Sequence, residues 1–271
     1  RGPPAGRTRA LNRRALRARY TSGVNQRPQN PLLAALGSAL EAFANRALAL
    51  LALMSGGAVA QVAAQAEKYP RMAAIGEYQM DERAEIELAR SAAPNSVARD
   101  ATILVLGPQG YRTAVEGTNG FVCMVARSWM AAFDWPEFWN PKVRAADCMN
   151  RQAARTILPV VLLRSRMLMA GKSKAEILTA VKAAFTNGEV PELQGGAMSY
   201  MMSRSAYLTD EGTHNAPHVM FFTAGVDAKD WGSNAADSPL MAAPYWFFSS
   251  TDASAMQGLP PIVVFLVGAA N

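Results

Sequence analysis

Both histidines of the chain, His214 and His218, lie in the segment EGTHNAPHVMFF. Two neutral imidazoles four positions apart form a common metal-binding pair on a helix, because that spacing puts them on one face. Here Pro217 argues against a helical turn. A loop could still bring the pair together, with Asp210 or Glu211 as a further ligand. Three interpretations stay open: a metal site, an acid or base at His218, and structural hydrogen bonds where a loop enters a strand.

Aromatic side chains form a second candidate site. Between the two cysteines, the segment SWMAAFDWPEFWNPK carries three tryptophans and two phenylalanines within eleven positions. Such density could make a platform on which a sugar or a base stacks, with Trp135 and Trp139 as the ligand-binding residues. The other interpretation is a satellite core in which the aromatics of a long loop fold back under a disulfide.

Other chemistry-bearing patterns are weak. The chain has no GxSxG elbow, no GxGxxG and no P-loop, and its carboxylates form no obvious pair for glycoside hydrolysis. The methionines could bind copper in an oxidising compartment, but Met201 lies on the opposite side of its predicted strand from Met198 and Met202, so core packing is the simpler account. Outside the histidine segment the sequence therefore points to no catalytic residue, and it points to no cofactor.

Cys123 and Cys148 are the only cysteines. Without a CxxC spacing, zinc or thioredoxin chemistry is improbable. In an exported domain the two are expected to join as a disulfide, which would stabilise the fold by roughly 3 kcal/mol on the chain-entropy model. Two buried free thiols are the alternative.

Charge is distributed unevenly along the chain. Residues 1–60 carry nine arginines and the single acid Glu41, whereas residues 61–271 carry eighteen basic and twenty acidic residues, a net charge of −2. The body therefore lacks the basic surface that follows a phosphate backbone, and nucleic acid is excluded as a partner.

The first sixty residues have the features of a leader. Arg46 precedes an apolar run that ends near Met54, and Ala58-Val59-Ala60 predicts cleavage before Gln61, as in a signal peptide. A buried or membrane-lying helix and a transit peptide are the alternatives. We expect a periplasmic or secreted bacterial protein that meets the membrane only transiently through its leader, with a connector at 61–80 and a single domain at 81–271.

An α+β domain must position the candidate residues, with helices packed on one face of a mostly antiparallel sheet. Helices are predicted from 81 to about 92, over 158–169, and after Ser173, which forms a capping box with Glu176, to an end at Asn187-Gly188. Strands are predicted at 102–106, 111–115, 121–125, 197–203, 218–224, 245–249 and 262–267. The short connections between the first three favour an antiparallel meander.

Several segments resemble an uncharacterised family of exported bacterial proteins: ATILVLGPQGYRTAVEGTNGFVC, FWNPK to Cys148, AGKSKAEILTAVKAAF, GAMSYMMS and PHVMFF. The resemblance covers roughly residues 81–268, and the EGTNGFVC motif, with Cys123, is its most specific part. It implies secretion and brings no assigned activity. Family members can carry another histidine between the two kept here, where this chain has Ala216, and this weakens any metal site carried over from the family.

The sequence leads to two functional hypotheses. The first is a non-catalytic, disulfide-stapled exported domain that binds a small molecule or an envelope protein. The alternative is a metal-handling protein or hydrolase-type enzyme centred on His214 and His218.

Overall fold

The computed structural model describes residues 68–211, 216–244 and 256–269. The helices in these ranges are α1 (Ile75–Tyr78), α2 (Glu82–Arg90), α3 (Asn95–Ala98), α4 (Arg151–Thr156), α5 (Leu158–Met169) and α6 (Lys174–Thr186). The strands are β1 (Thr102–Gly107), β2 (Gly110–Val115), β3 (Val122–Ala126), β4 (Ala145–Met149), β5 (Met198–Met201), β6 (His218–Ala224), β7 (Leu240–Pro244) and β8 (Ile262–Gly268). The leader, His214 and the strand predicted at 245–249 lie outside the described residues.

The eight strands form one sheet in the order β2-β1-β3-β4-β5-β6-β8-β7. All neighbouring pairs among them are antiparallel except β1 with β3. The prediction of an α+β fold with a mostly antiparallel sheet is confirmed. Strands β4 and β7 were not predicted.

The predicted meander of the first three strands is wrong, because β3 pairs with β1 in parallel and does not contact β2 as a neighbour. Strand β1 is apolar along its length and buried beyond its first residue, so it takes a partner on each side. The EGTNG segment makes the crossing. A Cβ on Gly117 would lie 2.1 Å from the backbone nitrogen of Thr102, so only glycine fits where the chain passes the start of β1.

One side of the sheet, which we call the stapled face, carries the disulfide between Cys123 and Cys148. These residues are direct partners in the β3–β4 register, and the predicted bond is confirmed. Small side chains surround it, among them Ala89 of α2 and Ala146 of β4, both fully buried. Helix α2 packs here against β1, β3 and β4.

The opposite side, which we call the cavity face, packs against helices α4 to α6. Helices therefore lie on both faces of the sheet, because α2 covers the stapled face, where the sequence placed all of them on one. Helix α6 begins as predicted: the Ser173 hydroxyl accepts from the Glu176 N–H at 3.3 Å, and the Glu176 carboxylate accepts from the Ser173 N–H at 2.9 Å. The Ser173 N–H, the Lys172 ammonium and the Ser173 hydroxyl all donate to the Glu176 carboxylate and lower its pKa to about 2.

Within the described ranges, no helix has both the length and the apolar character that crossing a bilayer requires.

Candidate functional site

A cavity of about 610 Å³ lies on the cavity face, between the sheet and the segment 127–136. Small-molecule sites typically measure about 300–1,000 Å³, so the space suits a drug-sized ligand. Five of the residues that line it are methionines: Met124, Met130, Met149, Met201 and Met220. Methionine side chains are flexible and polarisable, so such a wall can adapt to apolar ligands of different shape.

Strand register places the polar residues of the cavity floor. Asp147 of β4 is opposite Met124 of β3, and Met201 of β5 is opposite His218 of β6. In the β4–β5 register Met149 pairs with Ser199, so Asp147 lies on the same side of the sheet as Ser199 and Met201. Asp147 and His218 therefore reach the same cavity from different strands.

Asp147 is the most perturbed acid of this floor. Its side chain lines the cavity although the residue is only 7% exposed, and its Oδ1 has no hydrogen-bond partner among the described residues. Burial raises the pKa of Asp147 to about 7, against smaller lowering effects from the Ser199 hydroxyl and the Cys148 N–H. Ser199 is close to the carboxyl, yet its Oγ also meets no hydrogen-bond geometry within the described residues. A carboxyl group poised in this way can accept a proton or a hydrogen bond from a ligand.

Arg127 and Ser128 line the cavity where β3 ends. The Arg127 guanidinium is fully buried and donates to Glu85 of α2 at 2.9 Å and to the Tyr78 carbonyl at 2.6 Å. Glu85 also accepts from the Leu106 N–H at 3.1 Å. The charge of Arg127 is thus matched inside the protein, and its role at the cavity is to hold the chain where it leaves β3.

His218 lines the cavity at the first position of β6. Its Nδ1 lies 2.8 Å from the Ala216 carbonyl, and because a carbonyl can only accept, Nδ1 carries the proton of this bond. In the tautomer that carries its one proton on Nδ1, Nε2 is an acceptor. This geometry agrees with a structural hydrogen bond at the strand entrance and leaves the second nitrogen available for a ligand.

The described residues offer no complete set of ligands for a metal ion at His218. Among the side chains described, no three His, Cys, Asp or Glu residues gather closely enough to hold a metal ion. His214 is outside the described residues, so the pair of His214 and His218 stays a prediction.

The aromatic side chains of the loop between β3 and β4 have two roles: some pack in the core and one lines the cavity. Trp135 lines the cavity. Trp129 is fully buried and donates from Nε1 to the Ser165 hydroxyl at 3.0 Å. Trp139 packs edge-on against buried Phe138 with 4.6 Å between ring centroids, and it is not one of the residues that line the cavity. The predicted satellite core under the disulfide is therefore wrong, because the buried aromatics of the loop join the main core on the cavity face, opposite the disulfide. One of the two predicted ligand-binding tryptophans, Trp135, reaches the cavity.

Asp210 anchors the chain beside the cavity. It accepts hydrogen bonds from the hydroxyls of Tyr69 and Tyr207 and pairs with Lys68. The Lys68 ammonium and the two hydroxyls hold the pKa of Asp210 well below its usual range. These partners occupy the carboxylate that the sequence offered as a metal ligand, whereas Glu211, the other candidate, lines the cavity.

Glu137 fixes the aromatic loop to the same anchor. Its carboxylate accepts from the Asp210 N–H at 3.0 Å, from the Thr209 hydroxyl at 2.6 Å and from the Asn140 side-chain amide at 2.7 Å. Thr209 also lines the cavity. The bonds of Glu137 and Asp210 thus set the position of one wall relative to the loop that carries Trp135.

Sequence reasoning missed Asp147 because it did not predict β4. The available signal was a lone acid in the run AADCM, which otherwise has the composition of a buried strand. A charged residue at an inward-facing position of such a strand is uncommon and marks a place to look for function.

Comparison with known proteins gave no match: no protein-family model, no curated protein and no solved structure matches this chain. Function is therefore inferred from the cavity and the side chains that line it.

Proposed function

We propose that this protein is an exported, disulfide-stapled domain that binds an apolar small molecule in the cavity beneath the aromatic loop. The observation that carries the proposal is the cavity of about 610 Å³ with its wall of methionines. A site of this size lined mainly by apolar side chains, with a few polar groups, is the usual form of a small-molecule site.

The construction of the walls supports binding rather than a packing defect. The bonds of Glu137 and Asp210 hold one wall in place, and the Arg127–Glu85 ion pair holds another. Walls that are held by these bonds are already ordered without a ligand, so a ligand does not have to supply the cost of positioning them.

The binding proposal is tested with N-phenyl-1-naphthylamine, a neutral dye that becomes fluorescent in apolar surroundings. We expect saturable binding to the purified protein and at least fivefold weaker binding by Ala145→Phe, because Ala145 lines the cavity and the ring would occupy it. Ala175→Phe is the matched control, since Ala175 lies exposed on α6. Equal dye binding by the two variants would count against the cavity as the site.

Export is part of the proposal and is supported by the leader and by the disulfide, which belongs to oxidising compartments. Membership of the exported bacterial family is also part of the proposal, and it is supported by the sequence motifs alone. N-terminal sequencing of the protein recovered from the periplasm or medium tests export. We expect Gln61 at the start of the mature chain; an intact chain retained in the cytoplasm would refute it.

A second candidate, metal handling or hydrolysis centred on His214 and His218, is favoured by one observation: His218 and the perturbed Asp147 face the same cavity. Calorimetric titration with zinc and copper separates the metal form of this candidate from simple binding. Micromolar binding that is lost in the double variant His214→Ala/His218→Ala would support it. Absence of heat in the wild-type protein would remove it.

A further inference from the structure

The unpartnered oxygen of Asp147 restricts the chemistry of the ligand. Asp147 is more than nine-tenths buried in the cavity floor, and its Oδ1 makes no hydrogen bond within the described residues, although the Ser199 hydroxyl lies close to the carboxyl group. Leaving a buried acceptor unsatisfied costs about 1–3 kcal/mol, and more for a charged group. A ligand with a hydrogen-bond donor can recover that cost, whereas a hydrocarbon cannot.

The other ionisable groups of the cavity favour a cationic donor. Two further carboxylates, Asp134 and Glu211, line the same space, together with the imidazole of His218. Asp134 already has a partner within the protein, and the fourth group, the Arg127 guanidinium, is paired with Glu85. Asp147 and Glu211 therefore supply the charge that an incoming ligand meets, and this charge is negative. An ammonium group with an apolar body matches both this charge and the methionine wall.

We propose that the cavity selects apolar ammonium compounds, whose N–H group donates to Asp147 Oδ1 while the hydrocarbon part lies against the methionines. This inference rests on the proposed binding function and adds to it the class of ligand. The bond formed is a charge-assisted hydrogen bond, and no covalent change takes place.

Affinity for such a ligand must depend on pH. Burial raises the pKa of the Asp147 carboxyl to about 7, so in the free protein it is mostly protonated at pH 5 and mostly ionised at pH 8. An alkylammonium ion keeps its charge across this range. Binding of the cation therefore strengthens as pH rises, because the carboxylate no longer has to lose a proton first.

Two rigid cage molecules of nearly equal size, 1-aminoadamantane and 1-adamantanol, test the inference by isothermal titration calorimetry. On the wild-type protein we expect the affinity of the amine to rise on the order of tenfold or more between pH 5 and pH 8. The affinity of the alcohol should change little, because a hydroxyl can donate to either form of the carboxyl group. In Asp147→Asn, which keeps the shape of the side chain, the rise for the amine should disappear.

His218→Gln is the matched control, because His218 lines the same cavity as Asp147. The rise for the amine should persist in this variant; a rise that vanishes with His218 and survives Asp147→Asn would overturn the assignment to Asp147. Equal, pH-independent binding of amine and alcohol would overturn the preference for a cation. If neither cage binds while N-phenyl-1-naphthylamine does, this inference is refuted and the binding function stands. If the dye also fails, both are refuted.

Discussion

The two faces of the sheet use the same strands in opposite ways. On the stapled face, Cys123, Cys148 and Ala146 lie against helix α2, and all three are fully buried. On the cavity face, the alternate residues of the same strands are Met124, Asp147 and Met149, and they line an open space.

The two faces of strand β4 therefore differ in how they are packed. Small side chains and a disulfide allow α2 to approach closely, and they leave little space on that side. Flexible methionines and an unpartnered carboxyl group are poor material for a tight core, since they specify no single packing and leave an acceptor unsatisfied. Their concentration on one face fits the proposed ligand site, which lies beside the larger core that the same face shares with helices α4 to α6.

The largest effect is expected from the buried ion pair beside the stapled face. Glu85→Ala leaves the Arg127 guanidinium buried without its carboxylate and the Leu106 N–H without its acceptor. We expect a loss of about 3–5 kcal/mol in the free energy of unfolding, measured by urea denaturation.

The matched control is Glu87→Ala on the same helix, which breaks the exposed Arg83–Glu87 pair. Pairs of this kind contribute about 0.3–0.5 kcal/mol. Similar losses in the two variants would mean that burial of the Glu85–Arg127 pair has no particular importance.

Removing the disulfide should cost slightly less. The double variant Cys123→Ala/Cys148→Ala opens a loop with a sequence separation of 25, which corresponds to about 3 kcal/mol on the chain-entropy model. Binding of N-phenyl-1-naphthylamine should survive under conditions in which the variant stays folded, because the bond lies on the face opposite the cavity. A variant that is folded but no longer binds would contradict the separation of the two faces.

Asp147 should make the stability of the ligand-free protein depend on pH. Burial raises the pKa of Asp147 from 3.8 to about 7, so the folded protein holds this proton more tightly than the unfolded chain. Its stabilising contribution is complete below pH 4 and is lost as pH rises through 7. Between pH 5 and pH 8, the free energy of unfolding of the wild-type protein should fall by roughly 2.5 kcal/mol relative to that of Asp147→Asn.

Denaturation curves of the two proteins at each pH measure this difference, and the other titrating groups cancel in the comparison. Parallel pH profiles would show that Asp147 ionises normally and is not desolvated.

Much of the fold could be predicted from local patterns. Helix α5 has the predicted bounds, α6 begins after its Ser173 capping box, and β6 begins at His218 as expected. These elements carry their signals within a few residues: a capping residue, a proline in a first turn, or alternation. The pairing of β3 with β1 could not be predicted in this way, because it depends on the close approach of Gly117 to Thr102 across the sheet.

The candidate site was harder to predict, since it is assembled from separate strands. Trp135 and His218 were identified by residue type, which is a property of the sequence alone. Asp147 becomes notable only when the fold places it on the inner face among the methionines, and its protonation depends on burial by the surrounding elements. The sequence therefore identified side chains capable of recognition without locating the acid that stands among them.

The smallest effects, and the sharpest comparison of the faces, come from two neighbouring alanines of β4. Ala146 is fully buried on the stapled face, so Ala146→Leu must force apart α2 and the sheet, with an expected cost of about 2 kcal/mol. Ala145 is only partly buried and lines the cavity, so in Ala145→Leu the added atoms enter existing space.

The stability of Ala145→Leu should therefore change by less than about 0.5 kcal/mol, since the substitution neither creates a void nor forces an overlap. Urea denaturation of both variants compares their losses in the free energy of unfolding. Titration with the dye compares their affinities. Ala145→Leu should weaken the binding of the dye. Ala146→Leu should not weaken it under conditions in which this variant is folded. Equal costs for the two substitutions would mean that the cavity face is packed as tightly as the stapled face, which would leave no room for a ligand.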